Sequence, residues 1–438
     1  MTLPANHSQR YVYHFTHIDN LESLFSNNML SNNELMRRTT PTLSIAEPDI
    51  QARRATMQVT CGPGGVVHDY VPFYFCTRSP MLLGVVNKRN IDQLDIIYLE
   101  FKLSKLINYN FVFTDSSANA LTPPNFYDNL AHLDNLEWDL IDSLKWAPPA
   151  NKKQQKMAEF LVYNRVSISD IENIVVWNEG IKERVKKIAA SLNVTIPTIS
   201  FEEGPRWHYY TNFMNNGRKS CSPGPKETNQ AFKNALTKIH SRTQKTSYEF
   251  NSLDELITTL RTNISNINYT NELVGLHSEN ALHRETVAEH TLTVISNCAI
   301  NKYYLRLNNR SKIIVELAAF LHDIGKGPKS RWPDGTQKVD ARHPLLAMPM
   351  LEDLIINRIK YIDNSEVEHL LKLVCYHDLI GDILGQGRDE KQLLDLVKSE
   401  NELNMLFCLS EADVRSLNPY WWREGEADAI YQRALANI

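Results

Sequence analysis

Two places in this chain bring together residue types that could do chemistry. FLHDIGK, residues 320–326, sets His322 directly beside Asp323, and YHFTHIDNL, residues 13–21, sets His14 three residues before His17. Metal-assisted hydrolysis needs several neutral imidazoles and carboxylates converging on one or two cations, with a coordination position left for water. The first place can recruit such partners. His290 lies in TVAEHTLTV, Asp413 in LFCLSEADV, His343 in RHPLLAM and His377 in VCYHD, each on or beside an apolar helical face. Burying that many ionisable groups is costly unless something binds them. The second place has no partner at ligand spacing, and His68 in VHDYVPF is the nearest further histidine. A lone pair of this kind reads as structural or hydrogen-bonding rather than metal-binding. Two different sites are therefore expected.

The elements that must position these residues fall into two textures. From residue 11 to about 200, strand-like runs (VPFYFC, DIIYLEF, FVFTD, NIVVWN) alternate with helical stretches (NLESLFSNNML, QQKMAEFLV, IKERVKKIAASLN). Beyond about residue 253, helical periodicity is nearly continuous, as in SKIIVELAAFLHDIG and EVEHLLKLVCYHD. The expectation is an α+β domain over residues 1–213, a polar linker over 214–252 and an all-α domain over 253–438. A length of 438 residues, more than one core usually organises, agrees with two domains. Hydrophobic residues at 42% and charged residues at 22% are ordinary for a globular protein, and a net charge of -4 argues against a wholesale polyanion binder. The six cysteines are scattered without a C-x-x-C pair, as expected of reduced thiols. MTLPANHSQR leads into no apolar segment and no run approaches the length of a membrane span. A cytoplasmic protein is expected.

The order His290, His322-Asp323, Asp413 resembles the HD-domain metal-dependent phosphohydrolases over roughly residues 280 to 415. The resemblance implies that His290, His322, Asp323 and Asp413 hold a first divalent metal. His343 and His377 match the extra histidines of dinuclear members, so one or two ions are expected. It implies water attack on a phosphate ester, with Lys326 placed to contact a phosphate oxygen.

Around His14 the neighbours decide. SIAEPDIQARRATM pairs Arg53 with Arg54, GGVVHDYVPFYFCTRSPML runs from a glycine turn through an aromatic strand to Arg78-Ser79-Pro80, and KKQQKMAEFLVYNRV sets Glu159 between lysines and an apolar run. Separately these read as a solvated arginine pair, a core strand with a turn, and an amphipathic helix. In sequence, YHFTHIDNL, IQARR, VHDYVPFYFCTRSPML, FVFTD and AEFLVYN resemble the DarT family of single-stranded-DNA thymine ADP-ribosyltransferases, over about residues 11 to 210. Met157 departs from the glutamine the family commonly has before Ala-Glu-Phe.

The resemblance implies an ADP-ribosyltransferase-like fold and NAD as substrate. His14, Phe15 and Thr16 would cradle the nicotinamide and ribose, and Arg54 would contact the NAD phosphates and help remove the proton from thymine N3. An arginine, with a pKa above ~12, is a poor base, so its role reads as orienting and polarising. Glu159 would hold the ribose hydroxyls and stabilise the oxocarbenium-like state formed as nicotinamide leaves. A base acceptor must present its edge, which a single strand allows. The implied DNA track is Arg78, Ser79, Pro80, Met81, Leu82 and Leu83; Leu144, Lys145, Trp146 and Ala147; and Lys153, Gln154, Gln155, Lys156 and Met157. These supply the cations and aromatic surface of a single-strand groove.

The expected protein is thus a toxin-like or defence enzyme that modifies single-stranded DNA, with an antitoxin protein as a partner to look for and no membrane. Its HD domain breaks phosphate bonds, so it would not remove a glycosidically linked modification. Two alternatives stay open: an HD nucleotide phosphohydrolase whose N-terminal domain is a non-catalytic NAD or nucleic-acid sensor, or a transferase acting on another base or on RNA.

Overall fold

The computed structural model of the chain describes residues 2–144, 148–201, 208–210, 222–243, 245–279 and 285–438. It divides into two units, Met1–Asn87 with Ile91–Thr211, and Lys88–Asn90 with Asn212–Ile438.

The first unit is built on an eight-stranded sheet. Its strands are β1 (Tyr11–His17), β2 (Tyr70–Tyr74), β3 (Ile96–Lys102), β4 (Phe111–Thr114), β5 (Phe126–Tyr127), β6 (Glu159–Tyr163), β7 (Ile171–Val176) and β8 (Thr198–Phe201). They lie in the order β8-β7-β3-β1-β2-β6-β4-β5, and all neighbours are antiparallel except β7 and β8. That parallel pair needs a crossover, supplied by the helix Glu179–Ser191. Phe73, Phe101, Phe113 and Phe160 pack the core.

One seam in this sheet is thin. β1 pairs with β3 along its whole length but with β2 only at Tyr13–Tyr74. Pro72 stands two residues before Tyr74 and has no N–H to donate, so the ladder stops there. Its carbonyl instead accepts the His14 ring N–H at 2.8 Å.

The helix expected over QQKMAEFLV is not one. Only Lys153–Lys156 is helical, and Glu159–Tyr163 is an inner strand of the sheet. Phe160, Leu161 and Val162 are wholly buried. A strand covered on both faces reads as a continuous apolar run, which periodicity alone does not distinguish from a buried helix.

The second unit is helical, with its core drawn from residues 232 to 434. The polar linker expected over 214–252 contains a helix, Pro225–His240, which buries Phe232, Ala235 and Ile239. The i, i+3, i+7 spacing was present but lay behind a long polar approach. Pro225 at its first turn, where no N–H is needed, starts it. Among the described residues no helix is long and apolar enough to cross a membrane.

Candidate active site and metal centre

Arg54 and Glu159 meet on one face of the sheet. Glu159 of β6 shares a register row with Tyr74 of β2, and Tyr74 with Tyr13 of β1, so these side chains point to the same side. The helix Pro48–Thr56, hereafter α1, carries Arg54 in its last turn. Arg54 Nη1 donates to both carboxylate oxygens of Glu159 at 3.0 Å. The Ala118 N–H adds a bond of 2.8 Å to Oε1, with the Ser117 hydroxyl at 3.5 Å. Thr114 of FVFTD accepts the Glu159 N–H at 3.1 Å, which gives that motif its task. Glu159 is wholly buried and Arg54 nearly so. Such a pair persists in a low-dielectric interior because extra donors satisfy the carboxylate.

A cavity of 240 Å³ adjoins Arg54, with His14, Phe15, Thr16, His68 and Pro72 in its lining. Glu159 is not part of that lining, so the guanidinium separates the carboxylate from the cavity. Because a backbone carbonyl only accepts, the His14–Pro72 bond fixes the proton on Nδ1 and leaves a lone pair on Nε2. Burial holds the His14 pKa below its ordinary value, so the ring stays neutral. Phe15 stacks on Tyr74 with ring centroids 5.7 Å apart.

His17 behaves differently. Its Nδ1 accepts the Asp19 N–H at 3.2 Å, and no candidate metal group among the described residues includes it or His14. His68, named in the sequence only as a neighbour, belongs to the cavity and donates from Nε2 to Gln51 at 3.0 Å.

The expected DNA track is largely inside the protein. The helix Pro80–Asn87, α2, turns Pro80, Leu82 and Leu83 inward, and Ser79, Arg78 and Met157 are buried as well. Arg78 Nη1 donates to the Leu144 carbonyl at 3.3 Å. Lys156 is wholly buried, its Nζ donating to the carbonyls of Leu140, Ile141 and Ser143 at 3.0, 3.4 and 2.6 Å. These are carbonyls at and just past the end of the helix Trp138–Ile141, α3, where intrahelical donors run out. Lys156 and Leu82 therefore cannot present side chains to a strand in this conformation. Met81 and Gln155 are half-buried, and Leu144, Lys153 and Gln154 are exposed. Lys145, Trp146 and Ala147 lie outside the described residues.

In the second unit the expected ligands converge. His290 comes from α4 (Val287–Ala299), His322 from the end of α5 (Asn309–Leu321), His343 opens α6 (His343–Asp353), His377 follows α7 (Asn364–Tyr376), and Asp413 sits in α8 (Glu400–Leu417). His322, His343 and His377 each bond through Nδ1 to the carbonyl three residues back, at 2.8, 2.9 and 2.8 Å. His290 Nδ1 bonds to Ser416 Oγ at 3.0 Å, while that hydroxyl donates to the Asp413 carbonyl at 2.6 Å. All four rings thus turn Nε2 inward, the orientation metal ligands take.

The inward atoms fit cations. Nε2 of His343 lies 3.0 Å from Nε2 of His377, and two lone pairs at that separation need a proton or a metal between them. His322 Nε2 is buried with no hydrogen-bond partner. Asp323 Oδ2 lies 3.3 Å from His322 Nε2 and its Oδ1 lies 3.4 Å from His343 Nε2, the posture of a bridging carboxylate. Burial alone would lower the His322 pKa, but Asp323 and Asp413 raise it to about 9. The site's own charge calls for a positive partner.

Two groups of possible ligands share Asp323: His290 with His322, and His343 with His377. Asp378 joins His377 and Asp413 in a third group. It was legible as the third His-Asp pair in the chain, in VCYHD, after His68-Asp69 and His322-Asp323, but only its histidine was counted. Lys326 reaches the metal-facing carboxylate itself, its Nζ 2.6 Å from Asp323 Oδ2.

Residues 13–210 match the family described as ssDNA thymidine ADP-ribosyltransferase, DarT. A DNA ADP-ribosyl transferase of Thermus sp. (strain 2.9) is 38% identical over 183 residues, covering 40% of this chain and 86% of that protein. This chain belongs to the DarT family. Its relative from Escherichia coli O127:H6, also a DNA ADP-ribosyl transferase, is 27% identical over 201 residues, 44% of this chain and 91% of that one. Thermus sp. 2.9 DarT, solved in complex with ADP-ribosylated ssDNA, aligns at 34% identity with a TM-score of 0.42, covering 48% of this chain and all but 1% of its own. The DarT match spans both Arg54 and Glu159. Residues 287–414 match the HD domain, a span that takes in every expected metal ligand. Both resemblances, and the α+β and helical fold classes they implied, are borne out.

Proposed function

We propose that this DarT-family enzyme transfers ADP-ribose from NAD to thymine in single-stranded DNA, and that its HD domain hydrolyses a phosphate bond with one or two divalent ions. The observation that carries the first part is the buried Arg54–Glu159 pair beside a cavity holding a neutral His14. In this reading the nicotinamide–ribose bond breaks, a bond from the ribose carbon to thymine N3 forms, nicotinamide leaves neutral and the N3 proton passes to solvent. Glu159 stabilises the cationic sugar and holds its hydroxyls. Arg54 engages Glu159 through Nη1 alone, so its other N–H groups remain for NAD phosphate and the base edge. His14 Nε2 accepts a hydrogen bond from a ribose hydroxyl. A base modified in this way would block replication, which supports a cytoplasmic toxin or defence role and an antitoxin partner.

For the HD domain, His290, His322, Asp323 and Asp413 would hold one ion, and His343, His377 and Asp378 with Asp323 a second. The mixed imidazole and carboxylate set suits a first-row transition ion better than magnesium or calcium. A bound ion there supplies an acidified water for attack on phosphorus.

Incubation with NAD and single-stranded oligonucleotides of each base, followed by mass spectrometry, tests the transferase. One ADP-ribosyl unit is expected only on thymine-containing strands, and no adduct on any strand would end the reading. One observation favours a second reading, a sensor domain serving an HD hydrolase: Glu159 does not line the cavity. Glu159→Gln separates the two, sharply lowering DNA modification in the first and leaving the HD activity as the sole and unaltered one in the second.

A further inference from the structure

The segment Lys88–Asn90 belongs to the second unit, although the rest of that unit begins only at Asn212. It stands outside residues 287–414, the span that matches the HD domain. Short as it is, it is closely fastened. Asn90 Nδ2 donates to the Gly387 carbonyl at 3.1 Å, and its Oδ1 accepts the Asp389 N–H at 2.7 Å. Gln392 Nε2 donates to the Arg89 carbonyl at 3.1 Å. Among these anchors Arg89 takes a φ of +53°, in the left-handed region that a residue with a Cβ seldom enters. Such a conformation persists only where the surroundings impose it, and it is found most often at functional sites.

The backbone so held aims the Arg89 side chain at two carboxylates. Its Nη1 donates to Asp378 Oδ2 at 3.1 Å and lies 3.1 Å from Asp382 Oδ2. Asp378 stands at the N-terminal boundary of the helix Leu379–Gln386 and Asp382 one turn further on, so the two share a face and repel each other. Asp382 has a second cation, Arg388, whose Nη1 donates to it at 3.2 Å. With two carboxylates against one guanidinium, Arg89 has no charge to spare for a substrate phosphate. Its effect falls on Asp378.

Asp378 faces two ways. Its Oδ1 lies 3.4 Å from His377 Nε2, one of the inward-turned ring atoms, while its Oδ2 takes the Arg89 hydrogen bond. One oxygen thus serves the possible ligand group of His377, Asp378 and Asp413, and the other is fixed from behind. The Asp378 side chain is 25% exposed, so water competes to turn it away. A hydrogen bond to the outer oxygen of a ligating carboxylate sets the orientation of the inner one.

We propose that Arg89 is a positioning residue of the HD metal centre, holding Asp378 in the orientation that completes the second cation position. Arg89 itself is no ligand. The inference rests on the reading that His343, His377, Asp323 and Asp378 take a second ion. Its test titrates the full chain, stripped by a chelator, with cobalt(II). Calorimetry gives the affinity of each ion, and visible absorption reports the ligands around it without any turnover.

The wild type should bind two ions. Arg89→Gly removes the guanidinium yet suits the left-handed backbone, so it separates the side chain from the strain. It should bind the first ion as before and the second about 10- to 100-fold more weakly, with the absorption of the second ion altered. Arg89→Lys restores a cation and should recover part of that loss. An unchanged second affinity in Arg89→Gly, or both ions weakened by the same factor, would overturn the positioning role while leaving the two-ion centre in place. A wild type that takes up fewer than two ions would instead overturn the two-ion reading, and this role with it.

Discussion

Arg54 and Glu159 depend on each other, and that decides which variant is informative. Glu159→Gln keeps an oxygen to accept the Ala118 N–H but removes the charge facing Arg54. DNA modification should fall about a hundred- to a thousandfold, the scale of removing one charge stabiliser from a transition state, with a smaller loss of thermal stability than the alanine variant shows. Glu159→Ala strands a buried guanidinium and should also destabilise the fold by about 3–5 kcal/mol, visible in urea unfolding. His14 makes a pH prediction. Its folded pKa lies below the usual 6.5 because burial disfavours the cation. The unfolded chain then binds the proton more readily, so this contribution to stability is complete above 6.5 and is lost as pH falls below it. NAD affinity measured by calorimetry should accordingly stay flat from about pH 8 to the unperturbed value, about 6.5.

Helices and strands set those residues in place, and here the sequence was partly misleading. The motif order singled out Arg54 and Glu159, which the fold brings into contact, yet the element carrying Glu159 is a strand because the run Phe160-Leu161-Val162 is buried on both faces. Lys156 looked like a surface cation, since nothing in KKQQKM marks one lysine as different. Only the fold shows it closing the end of α3. Lys156→Met leaves those carbonyls without donors and should cost about 2–4 kcal/mol in chemical denaturation. In the HD domain, Gly325 permits the close approach of α6: an added Cβ would stand 1.9 Å from the His343 carbonyl and 2.8 Å from the Ala347 nitrogen. Gly325→Ala should therefore displace His343 and lower bound metal, measured by elemental analysis, more than it lowers helicity.

For the molecule as a whole, the two candidate sites draw their side chains from separate stretches, 14 to 159 and 290 to 413. A chelator that strips the HD ions should leave the yield of modified DNA unchanged, and Glu159→Gln should leave metal content unchanged. A yield that tracks metal loading would contradict this independence. Lastly, the thin seam between β1 and β2 bears on how the enzyme could be hardened. Pro72→Val would restore a donor and invite further rungs, zipping the two strands together. The variant should melt later and release His14 from its tether, so that heat resistance rises while affinity for the dinucleotide declines. One imino acid would then hold the protein short of its most durable form so that its cleft stays ajar.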